Sequence, residues 1–312
     1  MAMERIIDQQ LIKDFLNDCK LRHMSDYSIP GYKSSLNLFQ RFISEKGHDL
    51  LTIDRKILQD YIEYLQKKGI NYKTMKNRFS TYNSFYDYCV YENLIENNII
   101  QSFQRRYLSK YKEDNGEQRK LISVEEMARF IHLIPDLRDK TIALLFAKTG
   151  IRRRELVAID VDDINWGNMS IKLKPTKKRS NLIVYFDYET GMTLKRWMKK
   201  RELLADPENK ALFVSYINKR KRLNRNGVGY NFVKWAEFAG LHNSNTGNLE
   251  DRFTPHCCRH WFTTHLRRAG MNREFIMELR GDKLHDAMDV YYHIDKEELR
   301  KSYLACIPQL GV

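Results

Sequence analysis

The sequence predicts a mainly α-helical chain of two domains, with a small antiparallel sheet in the second. Three observations carry this. Apolar residues recur at helical spacing from the start to about residue 108. A polar, aperiodic stretch from Ser109 to Lys120 then breaks the pattern. Between Asp163 and Phe186 the period shortens towards two before helical spacing returns. The 312 residues suit two domains, placed at 1–112 and 121–312 with 113–120 as a linker.

In the first domain, Gln10 to Leu16 begins an amphipathic helix. After a turn from Ser25 to Gly31, Leu36, Phe39, Phe42 and Ile43 mark the inner face of a second helix, which Gly47 stops. Asp54 suits the N-cap of a third, carrying Ile57, Tyr61, Tyr64 and Leu65 and closed by Gly69. Thr74 to Tyr91 gives a fourth, with Met75, Phe79, Tyr82, Phe85, Tyr86 and Cys89 as its stripe. Aromatics at that spacing read as core rather than as a base-stacking platform. Lys67, Lys68, Lys73, Lys76 and Arg78 flank the stripe, and cations gathered at one end of a small bundle meet a phosphate backbone readily.

The second domain opens on Ser123-x-x-Glu126, a capping box. An apolar helix from Thr141 to Lys148 follows and ends at Gly150. Met169 to Leu173 and Leu182 to Phe186 read as strands around the turn Lys174-Pro175-Thr176-Lys177-Lys178-Arg179-Ser180. Helices are then expected from Tyr188 to Leu204, Gly229 to Ala239, Pro255 to Ala269 and Arg273 to Leu279, with a last one from Asp295.

A formal net charge of +14 and a pI near 9.4 point to a polyanionic partner, most often nucleic acid. The longest apolar runs fall short of a membrane span, and the N-terminus lacks a signal-peptide core, so a cytoplasmic protein is expected. The five cysteines contain no CxxC pair. His256, Cys257, Cys258 and His260 come nearest to a metal cluster, but adjacent cysteines diverge on a helix and read as small buried residues. Neither metal nor cofactor is expected.

Three short stretches concentrate the chemistry. Thr254-Pro255-His256-Cys257-Cys258-Arg259 opens a helix whose spacing sets His256 and Arg259 on one face, an imidazole beside a cation. Thr149-Gly150-Ile151-Arg152-Arg153-Arg154-Glu155-Leu156 ends an apolar helix on a cation cluster. Gly281-Asp282 is followed ten residues after the glycine by Tyr291-Tyr292-His293. Arginine pairs grip phosphate oxygens bidentately, and a tyrosine hydroxyl becomes a nucleophile only with a base or strong electrostatic help.

In their order and spacing, these motifs resemble the tyrosine recombinase (phage integrase) family. The wording of Leu279 to Asp282 and of Tyr291 to Asp295 is most similar to integrases of archaeal plasmids and viruses. The resemblance implies a helical core-binding domain followed by an α+β catalytic domain. It implies cleavage and rejoining of duplex DNA through a 3′-phosphotyrosyl link, by a homotetramer on two DNA sites, with integration of a mobile element favoured. Xer-like resolution of dimers and a catalytically silent DNA-binding protein of the same fold are the alternatives. Arg152 and Arg259 match the two catalytic arginines, His256 the histidine of H-x-x-R, and Tyr291 the nucleophile, with Tyr292 as its rival. Arg153 and Arg154 become phosphate or solvent contacts, and Glu155 a brace. The hairpin general acid is Lys177, Lys174 or Lys178, with Lys177 preferred. The chain departs from the family at Asp282, where a His or Trp is usual: either His285 substitutes for it or Asp282 acts structurally by binding an arginine. It departs also at Asn97-Asn98, where Asn-Pro is common.

Overall fold

The computed structural model describes residues 2–26, 28–109, 119–176, 179–217, 221–282 and 294–312. The chain divides into two compact units, Met1–Asn115 and Gly116–Val312.

Among its described residues the first unit is helical: α1 (Ala2–Leu21), α2 (Ile29–Ser44), α3 (Arg55–Lys67), α4 (Tyr72–Tyr91) and α5 (Ile99–Tyr107). The predicted stripes form its core. Phe39 lies 4.7 Å from Tyr82 and Phe79 5.7 Å from Phe103, centroid to centroid. Buried tyrosines need partners for their hydroxyls. Tyr86 finds one in the Leu50 carbonyl at 2.6 Å, while Tyr61 and Tyr82 bond each other at 2.9 Å. Asp54 caps α3 through the Ile57 amide at 2.8 Å. The individual helices named from sequence stopped short of α5, and its cap explains the departure at Asn97-Asn98. Asn98 accepts the Ile100 amide at 2.8 Å and donates to Asp87 at 2.7 Å, so an asparagine side chain starts the helix where a proline would have preset its backbone. Lys67 and Lys68 close α3, and Lys73 and Lys76 stand exposed at the start of α4, across the Gly69 turn at the same end of the bundle. Arg78 lies half-buried there.

The second unit holds α6 (Val124–Leu133), α7 (Leu137–Thr149), α8 (Arg153–Val157), β1 (Ile164–Asn165), β2 (Ser170–Lys172), β3 (Ile183–Tyr185), α9 (Tyr188–Glu202), α10 (Arg225–Phe238), α11 (Pro255–Arg268), α12 (Arg273–Arg280) and α13 (Lys296–Cys306). The strands form an antiparallel sheet in chain order, with Ile171 of β2 opposite Ile164 of β1 and Val184 of β3. β1 escaped the sequence reading because two residues cannot show a period. Helix α7 is the axis of the unit. Its residues from Thr141 to Thr149 are all buried, and it packs against both α9 and α11. Ser123 and Glu126 form the predicted capping box, at 3.1 and 2.8 Å.

The C-terminal helix α13 packs within its own chain. Leu299, Tyr303 and Ile307 join Phe262 and Leu266 of α11 and Phe275 of α12 in one cluster, with Cys306 at its edge. Lys148, fully buried at the end of α7, pairs with Asp187 at 2.6 Å and also with Glu189, and donates to the Pro308 carbonyl. Glu189 in turn accepts the Leu310 amide at 2.9 Å. Among the described residues no helix is long and apolar enough to cross a membrane.

Candidate active site

Two helix beginnings create the site. Helix α7 ends on Gly150, whose φ of +59° is a left-handed turn; a Cβ there would also stand 2.6 Å from the Phe262 ring. This turn delivers Arg152 to the N-cap of α8. Three residues on, Glu155 accepts the Arg152 amide at 2.8 Å and its Nη1 at 3.0 Å, fixing backbone and guanidinium together. Glu155 is the brace that the sequence implied. On the other side, Thr254 stands at the N-cap of α11 in extended backbone with Pro255 in the first turn.

Arg259, one turn further along α11, points inward. Its Nη1 donates to the Gly150 carbonyl at 2.8 Å and its Nη2 to the Arg280 carbonyl at 3.0 Å. Burial, then the charge of Arg152, lowers its guanidinium to about 10, which still leaves it charged at neutral pH. The structure therefore brings Arg152 and Arg259 together from segments over 100 residues apart.

Asp282 joins them. Its Oδ1 accepts from Arg259 Nη2 at 2.7 Å and from Arg152 Nη2 at 3.2 Å, while Arg280 Nε stands 2.8 Å from its Oδ2. Where the family usually has a neutral ring donor, this chain places an acceptor on the arginines themselves.

The sequence reading missed Arg280, which pairs with Asp282; Arg119 and Arg225, which line the cleft; and a buried arginine that ties the site together. Arg179 is buried, with its Nη1 on Glu155 at 3.1 Å and on the Arg280 carbonyl at 3.0 Å, and its Nη2 on the Leu279 carbonyl at 2.8 Å. It thus ties the β2–β3 connection to the brace of Arg152 and to the end of α12. Gly281, at φ +62°, makes room for it: a Cβ would lie 2.4 Å from Arg179 Cγ. The signal for it is a glycine opposite a long side chain, which no single sequence reveals.

His256 is exposed on α11 and lines, with Arg119, Arg152, Arg153, Arg154, Arg225 and Arg259, an open cleft of about 500 Å³. Desolvation in the cleft, followed by the charges of Arg119, His260, Arg259 and Arg152, pushes the imidazole down to about 4. It is therefore neutral near pH 7 and able to donate an N–H without adding charge. Cys257 and Cys258 are fully buried, as expected. Lys174 spans Asp160 and Asp163, each at 2.9 Å, and the hydrogen bonds to these carboxylates raise its pKa. To protonate a leaving group it would first have to leave both. Lys177, Lys178, His285, Tyr291, Tyr292 and His293 lie outside the described residues. Among the described residues no group of three His, Cys, Asp or Glu side chains could hold a metal ion.

Two guanidiniums aimed at one oxygen, with a neutral imidazole at the rim of a basic cleft, can grip a phosphodiester and match charge that grows on it. The phage integrase family matches residues 120–298, and the phage integrase N-terminal SAM-like domain matches residues 12–93. The chain belongs to the phage integrase family. It is similar over its length to tyrosine recombinase XerC of Psychromonas ingrahamii, 27 % identical over 301 residues that cover 95 % of each chain. Among solved structures it is similar to the Tn1549 transposon integrase in complex with circular intermediate DNA, with a TM-score of 0.68, 18 % identity and 93 % and 98 % of the two chains covered. A lambda integrase tetramer bound to a Holliday junction gives a TM-score of 0.68 at 15 % identity, covering 91 % of this chain and 77 % of that one. At such identities these two structures establish the fold, that of the tyrosine recombinases. The archaeal part of the resemblance has no support in these relatives.

Proposed function

We propose that this tyrosine-type site-specific recombinase cleaves and rejoins duplex DNA through a 3′-phosphotyrosyl intermediate on Tyr291, as the integrase of a mobile element. The observation that carries the reading is the convergence of Arg152 and Arg259 on a single anionic oxygen, at 3.2 and 2.7 Å. In the reaction a phosphodiester takes that place. The Tyr291 oxygen forms a bond to phosphorus as it loses its proton, and the bond to the 5′ oxygen breaks. A hairpin lysine, Lys177, gives that oxygen its proton. The two arginines hold the non-bridging oxygens as charge builds, and His256 donates a neutral hydrogen bond. Attack by a 5′ hydroxyl on the phosphotyrosyl link reverses the sequence and needs no ATP, because the link keeps the energy of the phosphodiester.

Residues 1–112 act as the core-binding domain, with Lys67, Lys68, Lys73, Lys76 and Arg78 on the DNA backbone. Residues 113–120 form the linker, and 121–312 the catalytic domain, where Arg153 and Arg154 add phosphate contacts. Four protomers work on two sites, an assembly supported by the tetramer seen for the lambda integrase. The protein works in the cytoplasm. Similarity to a XerC recombinase over the full chain favours, as a second reading, resolution of chromosome or plasmid dimers.

Covalent capture tests this. The full chain is incubated with a randomised pool of nicked duplexes, from which the cleaved end diffuses away and leaves the protein attached. The expected result is an adduct that fragmentation assigns to Tyr291, with the captured sequences mapping beside the gene. An adduct on Tyr292, or DNA bound without any adduct, overturns the assignment. Captured sequences that map to a chromosomal dimer-resolution site favour the second reading.

A further inference from the structure

We propose that Asp282 is an internal ligand of the phosphate site: in the absence of DNA its carboxylate occupies the place between the two arginines that a DNA phosphate must take. The inference rests on the reading of Arg152 and Arg259 as the phosphate grip. Several observations carry it. The carboxylate uses its oxygens as a phosphate would, one shared by Arg259 and Arg152 at 2.7 and 3.2 Å and the other 2.8 Å from Arg280 Nε. Both terminal nitrogens of Arg259 are engaged while Asp282 stays, Nη1 with the Gly150 carbonyl and Nη2 with the Arg280 carbonyl and Asp282. The backbone of Asp282 is anchored by the β2–β3 connection, through Ser180 N–H to the Gly281 carbonyl at 3.1 Å and Ser180 Oγ to the Asp282 carbonyl at 3.2 Å. These bonds hold the Asp282 backbone beside the arginines.

The chemistry of an occupied grip is competition. If the carboxylate fills the site in nine molecules of ten, an entering anion binds about tenfold more weakly than to the open site. Phosphodiesters on a correctly docked duplex outcompete Asp282, since many other contacts hold the DNA in place. Free phosphate and loosely bound DNA enter about tenfold less readily than they would an open site. Asp282 therefore keeps the arginines from capturing stray anions and makes occupancy of the site conditional on full docking. The displaced carboxylate retains Arg280 as a partner.

The test uses the full chain and inorganic phosphate, titrated by calorimetry and by the shift in melting temperature. The expected result is that Asp282→Ala and Asp282→Asn each bind phosphate about tenfold more tightly than the parent chain. A control separates occupancy from simple loss of a negative charge: Glu278, four residues away, pairs with Lys296 and not with the arginine pair. Glu278→Gln is expected to leave phosphate affinity within about twofold, because its charge is matched by Lys296 and makes no contact with the arginine pair. Equal gains from Glu278→Gln and Asp282→Asn would overturn the proposal, as would no gain in both Asp282 variants with native circular dichroism. Adding Arg259→Lys to Asp282→Ala is expected to abolish the gain. If tight binding survives that change, the grip reading itself fails, and the proposal with it.

Discussion

In the first unit the interior is ring against ring, with Phe39, Tyr61, Phe79, Tyr82 and Phe85 closing a bundle whose buried hydroxyls bond one another or a carbonyl. In the second, an equally closed interior contains Lys148, Glu155, Arg179 and Arg259. Apolar burial stabilises wherever it occurs, whereas a buried charge costs several kcal/mol, on the order of the whole stability margin, unless it is fully partnered. The difference separates what holds the chain together from what it is folded to present. In the bundle the buried groups are the purpose of the packing. In the second unit the packing also holds buried charges in fixed pairs, Lys148 with Asp187 and Arg179 with Glu155, and sets Arg259 against Asp282.

The comparison breaks most visibly in the chemistry. Arg152→Lys and Arg259→Lys are each expected to slow cleavage by about 10²–10³-fold while DNA binding persists, since lysine keeps the charge but loses the two-pronged donor set. Single-turnover rates of covalent capture give the measurement. Lys76→Gln in the bundle, by contrast, is expected to leave that rate unchanged at saturating DNA. Parent-like cleavage by either lysine variant would remove that arginine from the site.

Stability sharpens the same contrast. Phe79→Ala is expected to destabilise the chain by about 3–5 kcal/mol through the cavity it leaves, and no second substitution nearby should restore it. Arg179→Met is expected to cost about as much, because it strands the buried Glu155 carboxylate beside its remaining partner Arg152. Here a second change should help: adding Glu155→Gln recovers part of the loss, because the orphaned charge goes with it. A double-mutant cycle by denaturant titration reads the coupling. Strict additivity of the two changes would show that Arg179 and Glu155 do not sense each other.

A smaller effect belongs to the surface of the bundle. Substituting Lys67, Lys73 and Lys76 together by glutamine is expected to reduce the slope of log affinity against log salt by about 0.9 for each phosphate that is no longer neutralised. An unchanged slope would place the DNA elsewhere on the first unit.

How far each unit was legible follows from what its positions must specify. A bundle position needs only to face in or out, so stripes such as Met75 to Cys89 and caps such as Asp54 declare themselves in the sequence. Helical spacing set His256 and Arg259 on one face of a helix start, and the family resemblance pointed to Arg152 and Glu155. Arg179 was not: in the run Lys177-Lys178-Arg179 it looks like a third solvated cation, and its burial depends on Gly281, a residue 102 positions away. Asp282 was legible as a departure that could bind an arginine, but not as a bridge between Arg152 and Arg259, because those two come from two other segments. Long-range polar geometry has no local period to reveal it.

The finest distinction concerns His256, whose ring sits in the cleft with its titration displaced. In the unfolded chain its imidazole takes a proton near pH 6.5, whereas in the folded chain desolvation and the neighbouring cations hold it down to about 4. Between those values the unfolded state binds a proton that the native state refuses, so stability falls as pH drops through this window. Above pH 6.5 both states are neutral and the contribution is constant; below about 4 both are charged and the loss is complete. His256→Gln removes this dependence and leaves every other titrating group in place. Melting temperatures of the two proteins, measured from pH 4.5 to 8, are therefore expected to differ by a fixed amount above pH 6.5 and to shift in favour of the variant as pH falls. His260 and His265 are lowered too, and their contributions cancel in the difference to the extent that the neighbouring His260 ring is undisturbed. A difference that stays fixed at every pH would mean that His256 titrates as an ordinary imidazole. It would then carry charge over part of the working range, and the neutral donor assigned to the cleft would have to be an imidazolium.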